Sequence, residues 1–410
     1  MQASLSEREK APSAKFVQKR EQILERAAEQ FNLLGVRGAT LADVAASVEL
    51  NLTSIRHYFV KKEDLVAAAF LRSIEVHSAR VAKSRKIGPP EVRVRDLVRR
   101  YFDFRRRIRT GEAQEVIIFG DLRSLTGPHA DLVWPKYANL FRSVREVVAD
   151  PEEIEDDRQR VNARAHTLIS QFMRSVFWLP DYEVDDFERV EARFIDILIN
   201  GLAAPGAEGH SRVLHLPEDY PAPAKVSRES FLLAATELIN EQGYRGASVE
   251  RIAARLNVTK GSFYHHIEAK EDLVVACFKR NFALLQDAQR HAIAAERLGA
   301  DQAAAAASVL VRRQQTPAGP LLRHSALMSV DPATRRDMLG QMGRIVTRFS
   351  GMISDGMVDG SARACDARVA GEMLMAMINS ASELRNWVSD VTPDNSVELY
   401  VRPLFKGLFA

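Results

Sequence analysis

The chain overlays on itself without a gap when it is slid by 208 positions. The segment GVRGATLADVAASVELNLTSIRHYFVKKEDL, beginning at Gly35, falls on GYRGASVERIAARLNVTKGSFYHHIEAKEDL, beginning at Gly243. Identical pairs include Gly35/Gly243, Gly38/Gly246, Ala45/Ala253, Ser54/Ser262 and His57/His265, and Lys62-Glu-Asp-Leu repeats as Lys270-Glu-Asp-Leu. The ends of the halves echo more faintly and at slightly different offsets: Ile195-Asp-Ile-Leu-Ile-Asn-Gly-Leu202 resembles Val401-Arg-Pro-Leu-Phe-Lys-Gly-Leu408. A period this long reports duplication of a whole domain pair, because solenoid repeats run only ~20–50 residues. Between the copies, AAPGAEGHSRVLHLPEDYPAPAK has no periodic apolar face and reads as a linker.

Each copy opens with the same local pattern. Ile23, Ala27, Phe31 and Leu34 recur at helical spacing until Gly35 stops the helix, and Phe231, Ala235 and Ile239 do so until Gly243. Thr40 and Ser248 are good N-caps for a short second helix. After a tight turn a third helix opens at Asn51 or Thr259. Helix, helix, turn, helix within ~40 residues is the spacing of a helix-turn-helix, whose last helix enters a major groove.

The stretch VTKGSFYHHIEAKEDL, from Val258, concentrates hydrogen-bond donors. Thr259 caps the third helix and leaves its amide end open to phosphate. Gly261 lets a phosphate or base approach the backbone. Lys260 and Lys270 supply charge, while Ser262, Tyr264 and His265 supply neutral donors. Phosphate contacts position a protein and base contacts specify sequence, and this segment holds donors for both. Phe263 is expected to turn inward and anchor the helix.

With Gly243-Tyr-Arg-Gly-Ala-Ser248, Ile252-Ala253, Val258-Thr-Lys-Gly-Ser-Phe-Tyr-His-His and Lys270-Glu-Asp-Leu273, the sequence resembles the TetR family of bacterial transcriptional regulators, twice. The resemblance implies an all-α fold with a helical ligand-binding domain behind each helix-turn-helix and a dimer built on the last two helices. It also implies that Ser248, Thr259, Lys260, Gly261, Ser262, Tyr264, His265 and Lys270 meet double-stranded DNA. The first copy departs from the pattern, with Leu52 for a lysine and Thr53 for a glycine. Asn51 still caps, Arg56 adds a bidentate donor for guanine or phosphate, and Thr40, Thr53, His57 and Lys62 complete the expected surface. Two readings stand: a first reader with its own sequence preference, or a structural partner that no longer binds DNA.

The expected domains are residues 16–72 and 226–280 for the two helix-turn-helix units and 73–203 and 281–410 for the two regulatory domains, joined by a linker at 204–225. The regulatory parts read as amphipathic helices broken at prolines and glycines, and they differ in lining. The first holds ten aromatics between Tyr101 and Trp178, and the second holds eight of the chain's ten methionines between Met328 and Met377. Methionine suits pockets that accept varied apolar ligands, but it also fills cores. The run from Arg93 to Arg109 holds eight arginines and reads as a solvated face paired with acids such as those of Glu152–Asp157.

The remaining features exclude other classes. A net charge of +3 requires any DNA surface to be local. Cys277 and Cys365 have no metal-ligand spacing and read as buried thiols, and no metal, cofactor or catalytic residue is assigned. Walker, dinucleotide, zincin and nucleophile-elbow motifs are missing, which leaves an all-α enzyme or adaptor as the alternative class. With no apolar run of membrane-spanning length and no signal-like start, a cytoplasmic protein is expected. The expectation is a regulator, a repressor released by a small apolar or amphipathic effector, working as an intramolecular pseudo-dimer or a homodimer.

Overall fold

The computed structural model describes residues 13–206, 227–267, 270–317 and 319–410. The linker expected at 204–225 lies outside the described residues from 207 onward.

In the first half the helices are α1 (Ala14–Gly38), α2 (Leu41–Ser47), α3 (Leu52–Arg56), α4 (Lys62–Ser84), α5 (Pro90–Arg109), α6 (Gly127–Val148), α7 (Pro151–Asp156), α8 (Arg158–Trp178) and α9 (Phe187–Asn200). In the second they are α10 (Arg228–Gly246), α11 (Val249–Arg255), α12 (Lys260–His266), α13 (Lys270–Ala295), α14 (Gly299–Gln314), α15 (Pro332–Asp359), α16 (Ala367–Ser380) and α17 (Arg402–Lys406). Among the described residues extended pairing is limited to a bridge between Ala203 and Ala362.

The repeat is visible in backbone angles. Gly35 (φ 72°) and Gly243 (φ 70°) break α1 and α10 at equivalent positions, in a region that favours glycine. Glu49 (φ 57°) and Asn257 (φ 55°) make the left-handed corner between the second and third helices of each copy. Buried Val44 and Ile55, like Ile252 and Phe263, face inward from those short helices. Phe263 is fully buried and meets Phe231 edge-on at 5.7 Å, the anchoring role expected of it. The long helices α4 and α13 run unbroken from each helix-turn-helix unit into the bundle behind it, across the expected boundaries at 72 and 280.

The two halves interlock through equivalent elements. Helix α8 packs on α16, and α9 packs on α16 and α17. Gln171 Nε2 donates to the Met373 carbonyl (3.0 Å), Asn162 Nδ2 donates to the Trp387 carbonyl (2.7 Å), and Phe141 stacks on Trp387 at 4.2 Å. Leu202 N donates to Phe405 O (3.1 Å), and Leu408 N donates to Leu198 O (2.8 Å). Gly201 (φ 70°) lies so close to the Phe405 carbonyl that a Cβ would sit 2.3 Å from it. Reciprocally, a Cβ on Gly407 (φ 103°) would sit 2.2 Å from the Ile199 carbonyl. Contact and counter-contact between equivalent positions are the mark of an isologous joint, here made within one chain.

Candidate nucleic-acid interface and the chamber behind it

Both third helices are short, capped and outward-facing. Ser54 N donates to Asn51 Oδ1 (2.8 Å), and Ser262 N donates to Thr259 Oγ1 (3.4 Å). Thr40 forms a capping box with Asp43, whose carboxyl is held below its ordinary value by the Thr40 hydroxyl and amide. Ser248 accepts from Arg251 N (3.3 Å). Each copy thus opens two successive helices with a side-chain oxygen.

Thr259, Lys260, Gly261, Tyr264 and His265 are all exposed, as are Thr40, Asn51, Thr53, Arg56 and His57, while Ser248, Ser262 and Lys62 are half-buried. Tyr264 leans on Phe263 yet keeps 48% of its surface exposed. A Cβ on Gly261 would meet nothing closer than the Thr259 hydroxyl at 3.8 Å, so its outer face is open. Lys270 opens α13, and its side chain lies outside the described residues. Lys260 Nζ sits 2.5 Å from Glu250 Oε1, and this hydrogen bond depresses the exposed Glu250 carboxyl to about 2. Lys260 is therefore folded back on its own protein. Its exposure was legible in the sequence, but nothing there pointed to this partner, ten residues away on α11.

Behind the helix-turn-helix units, sequence reasoning missed a clamp that joins each unit to its bundle and recurs in both halves. Arg72 Nε donates to Glu21 Oε2 (3.0 Å) and its Nη1 to the Glu115 carbonyl (2.8 Å). Asn32 Nδ2 donates to Val116 O, and Ile118 N donates back to Asn32 Oδ1, both at 2.9 Å. Ser73 Oγ donates to Ile117 O (2.8 Å). In the second half Arg280, 208 residues after Arg72, bridges Glu229 and Pro320 O, Asn240 exchanges two hydrogen bonds with Leu321 and Arg323, and Asn281 does the same with Leu322, the clamped segment itself recurring 205 residues on. The repeated Glu21/Glu229, Asn32/Asn240 and Arg72/Arg280 identities were the available signal. Each clamped segment runs into a 3₁₀ turn, Phe119–Ser124 or His324–Ser329, and each turn packs against the first helix of the opposite copy.

The first clamped segment is also a wall. Val116, Ile117 and Ile118 line a largely apolar chamber of about 80 Å³ together with Tyr101, Phe104 and Phe172. Burial drives the His77 imidazole, also in this wall, down to about 3, so it is neutral, and Arg80 lies over the Phe104 ring. In the second half Met338, Met342, Met352, Met373, Met375 and Met377 are buried core residues. Helices there approach closely: a Cβ on Gly299 would lie 2.2 Å from Gly356 N. These six methionines lie in the core of that half.

Arginines of α5 pair with other acids than Glu152–Asp157, among them Arg93 with Asp150 (2.7 Å), Arg105 with Glu115 (3.0 Å) and Arg100 with Asp96 (2.5 Å). Cys277 is buried and Cys365 half-buried, and burial raises both thiols to about 11. Among the described residues no cluster of His, Cys, Asp or Glu is arranged to hold a metal ion, and no helix is long and apolar enough to cross a membrane.

Comparison with known proteins places the duplicated unit. The family model described as bacterial regulatory proteins, tetR family, matches twice, over residues 23–69 and 231–277. The transposon Tn10 TetC protein of Escherichia coli is 36% identical over 61 residues, 15% of this chain and 31% of that protein. The uncharacterized HTH-type transcriptional regulator Rv0681 of Mycobacterium tuberculosis is 31% identical over 70 residues, 17% of this chain and 32% of that protein. The match thus spans about a third of each relative's length. The TetR family transcriptional regulator PfmR from Thermus thermophilus overlays on 43% of this chain and 98% of its own, with 20% identity and a TM-score of 0.38. The tetR-family N-terminal unit is thus matched twice and its capped helices are formed twice, so this all-α chain carries two such units in tandem.

Proposed function

We propose that this protein is a ligand-responsive DNA-binding regulator, a repressor that leaves its operator when a small apolar or amphipathic effector occupies the first-half chamber. The observation that carries this reading is the double duty of residues 116–118. They wall the chamber and are hydrogen-bonded to Asn32 of α1 and Ser73 of α4. An effector that displaces this segment shifts a reader, because helix and segment are held by at least three buried or half-buried hydrogen bonds. The effector acts only through its differential affinity for the two arrangements.

DNA contact is assigned to Ser248, Thr259, Lys260, Gly261, Ser262, Tyr264, His265 and Lys270 in the second copy and to Thr40, Asn51, Thr53, Arg56, His57 and Lys62 in the first. The interlocked halves make one chain the equivalent of a dimer, with unlike reading helices LTSIRH and KGSFYH, so the operator is asymmetric. Selection of bound duplexes from a random pool, followed by binding at graded salt, tests the reading. The expected result is a two-part asymmetric site whose affinity falls by roughly 0.9 log unit per log unit of salt for each phosphate contact. No duplex binding at low salt refutes it, and a perfect inverted repeat points to a homodimer using one copy per half-site.

A further inference from the structure

A second cavity, of about 100 Å³, lies between the two halves, bounded by α8, the 3₁₀ turn at His324–Ser329 and the end of α16. It adjoins the aromatic chamber: Ile118, Tyr137, Ile169 and Met173 line both. Its walls are unlike the chamber's. Arg174, His324, Asn379, Arg323 and Glu383 all line it.

The protonation of His324 follows from its partner. Its Nδ1 lies 3.0 Å from Arg174 Nη1, and a guanidinium only donates, so Nδ1 accepts. Burial, with Arg174 adding to it, holds the imidazole well below its ordinary value, so it is neutral and its one proton sits on Nε2. That Nε2–H is buried and has no acceptor. Neither have Arg174 Nε and Asn379 Nδ2. His324 and Arg174 are each more than nine-tenths buried. Buried donors left unmade are costly and uncommon, and three around one cavity specify an acceptor that enters it.

The charges decide what kind of acceptor. Arg174 faces Glu372 (3.6 Å), and Arg323 faces Glu383 (3.3 Å). Burial works against ionisation of Glu383, yet Arg323, His166 and Arg123 hold its carboxyl below the ordinary value. Both guanidinium groups are thus already opposed by acids, and an added carboxylate meets Glu383 in the cavity wall. From this geometry we infer that the inter-half cavity is the polar end of the effector site and takes a neutral carbonyl oxygen (ketone, amide or lactone) whose apolar body extends into the aromatic chamber.

This rests on the chamber being the effector site, and the test separates the two. The full chain is titrated with methyl hexyl ketone, octane and octanoate while Trp387 fluorescence and heat are followed; Trp387 lines the cavity. The ketone is expected to bind about tenfold more tightly than either analogue, the ratio for one buried hydrogen bond. His324→Phe is expected to reduce the ketone to the level of octane, and His324→Gln, which keeps a donor, to retain most of the preference. Asn379→Leu, on a less buried position, gives an independent loss should His324→Phe fail to fold. Equal binding of ketone and octane, or a preference for octanoate, overturns the inference; if octane alone then still releases DNA, the chamber reading stands without it.

Discussion

Tyr264 and Arg56 occupy equivalent positions in the two copies, and both are exposed at the end of a capped helix. Replacing Tyr264 with Ala is expected to weaken operator binding by about 1–3 kcal/mol without lowering thermal stability, measured by anisotropy and calorimetry on the same sample. Arg56→Ala is expected to change the preferred sequence of one half-site; an unaltered selected sequence would show that the first copy reads no bases. A different outcome belongs to Gly201 and Gly407. Both have positive φ, and a carbonyl would lie within 2.3 Å of any added Cβ, so neither position has room for alanine. Each Ala variant should lose roughly 3 kcal/mol or more of stability in denaturant titration. The caps were legible in the sequence because Thr, Ser and Asn announce themselves before an apolar run. The role of Gly201 and Gly407 was not, since a glycine ending a helix looks the same whether or not another chain segment lies against it.

At the scale of elements, two couplings set how readers behave. In the proposed DNA contact Lys260 leaves Glu250 to reach a phosphate, and Glu250 itself repels that phosphate. Glu250→Gln is therefore expected to raise DNA affinity about two- to tenfold and leave the fold unchanged, since exposed pairs add little stability. The second coupling is the clamp. Asn32→Ala removes two hydrogen bonds between α1 and residues 116–118 and should cost about 1–3 kcal/mol of stability. Its distinctive effect is functional: DNA binding persists, but effector no longer reduces it, as anisotropy with and without ligand will show. Release unchanged from the parent protein would place the transmission elsewhere. Helix order, the turn at Glu49/Asn257 and the inward Phe263 follow from periodicity and turn chemistry. The clamp pairs residues ~40 to 85 positions apart, which no local pattern encodes, although the repeated Asn and Arg mark where to look.

For the whole molecule, the halves resemble each other in topology and differ in content. Aromatic side chains leave a chamber in the first, while methionines and closely approaching glycines pack the second. One effector per chain is the expected stoichiometry in calorimetric titration, and two equivalent sites would contradict it. Binding of a single chain to an operator should likewise depend on protein concentration to the first power. The duplication was plain in the sequence, and internal docking stood there as one of two options. What the sequence lacked was the interleaving of α8 and α9 with α16 and α17, because apolar faces report that they are covered and not by which neighbour.

The reciprocal fit of Gly201 against residue 405 and Gly407 against residue 199 also frees the gene. In an assembly of identical subunits every codon change strikes both sides of the seam at once, so lopsided solutions are out of reach. Here each side is spelled by its own nucleotides, and one arm can be remodelled to hold a new molecule while its twin goes on supplying rigidity.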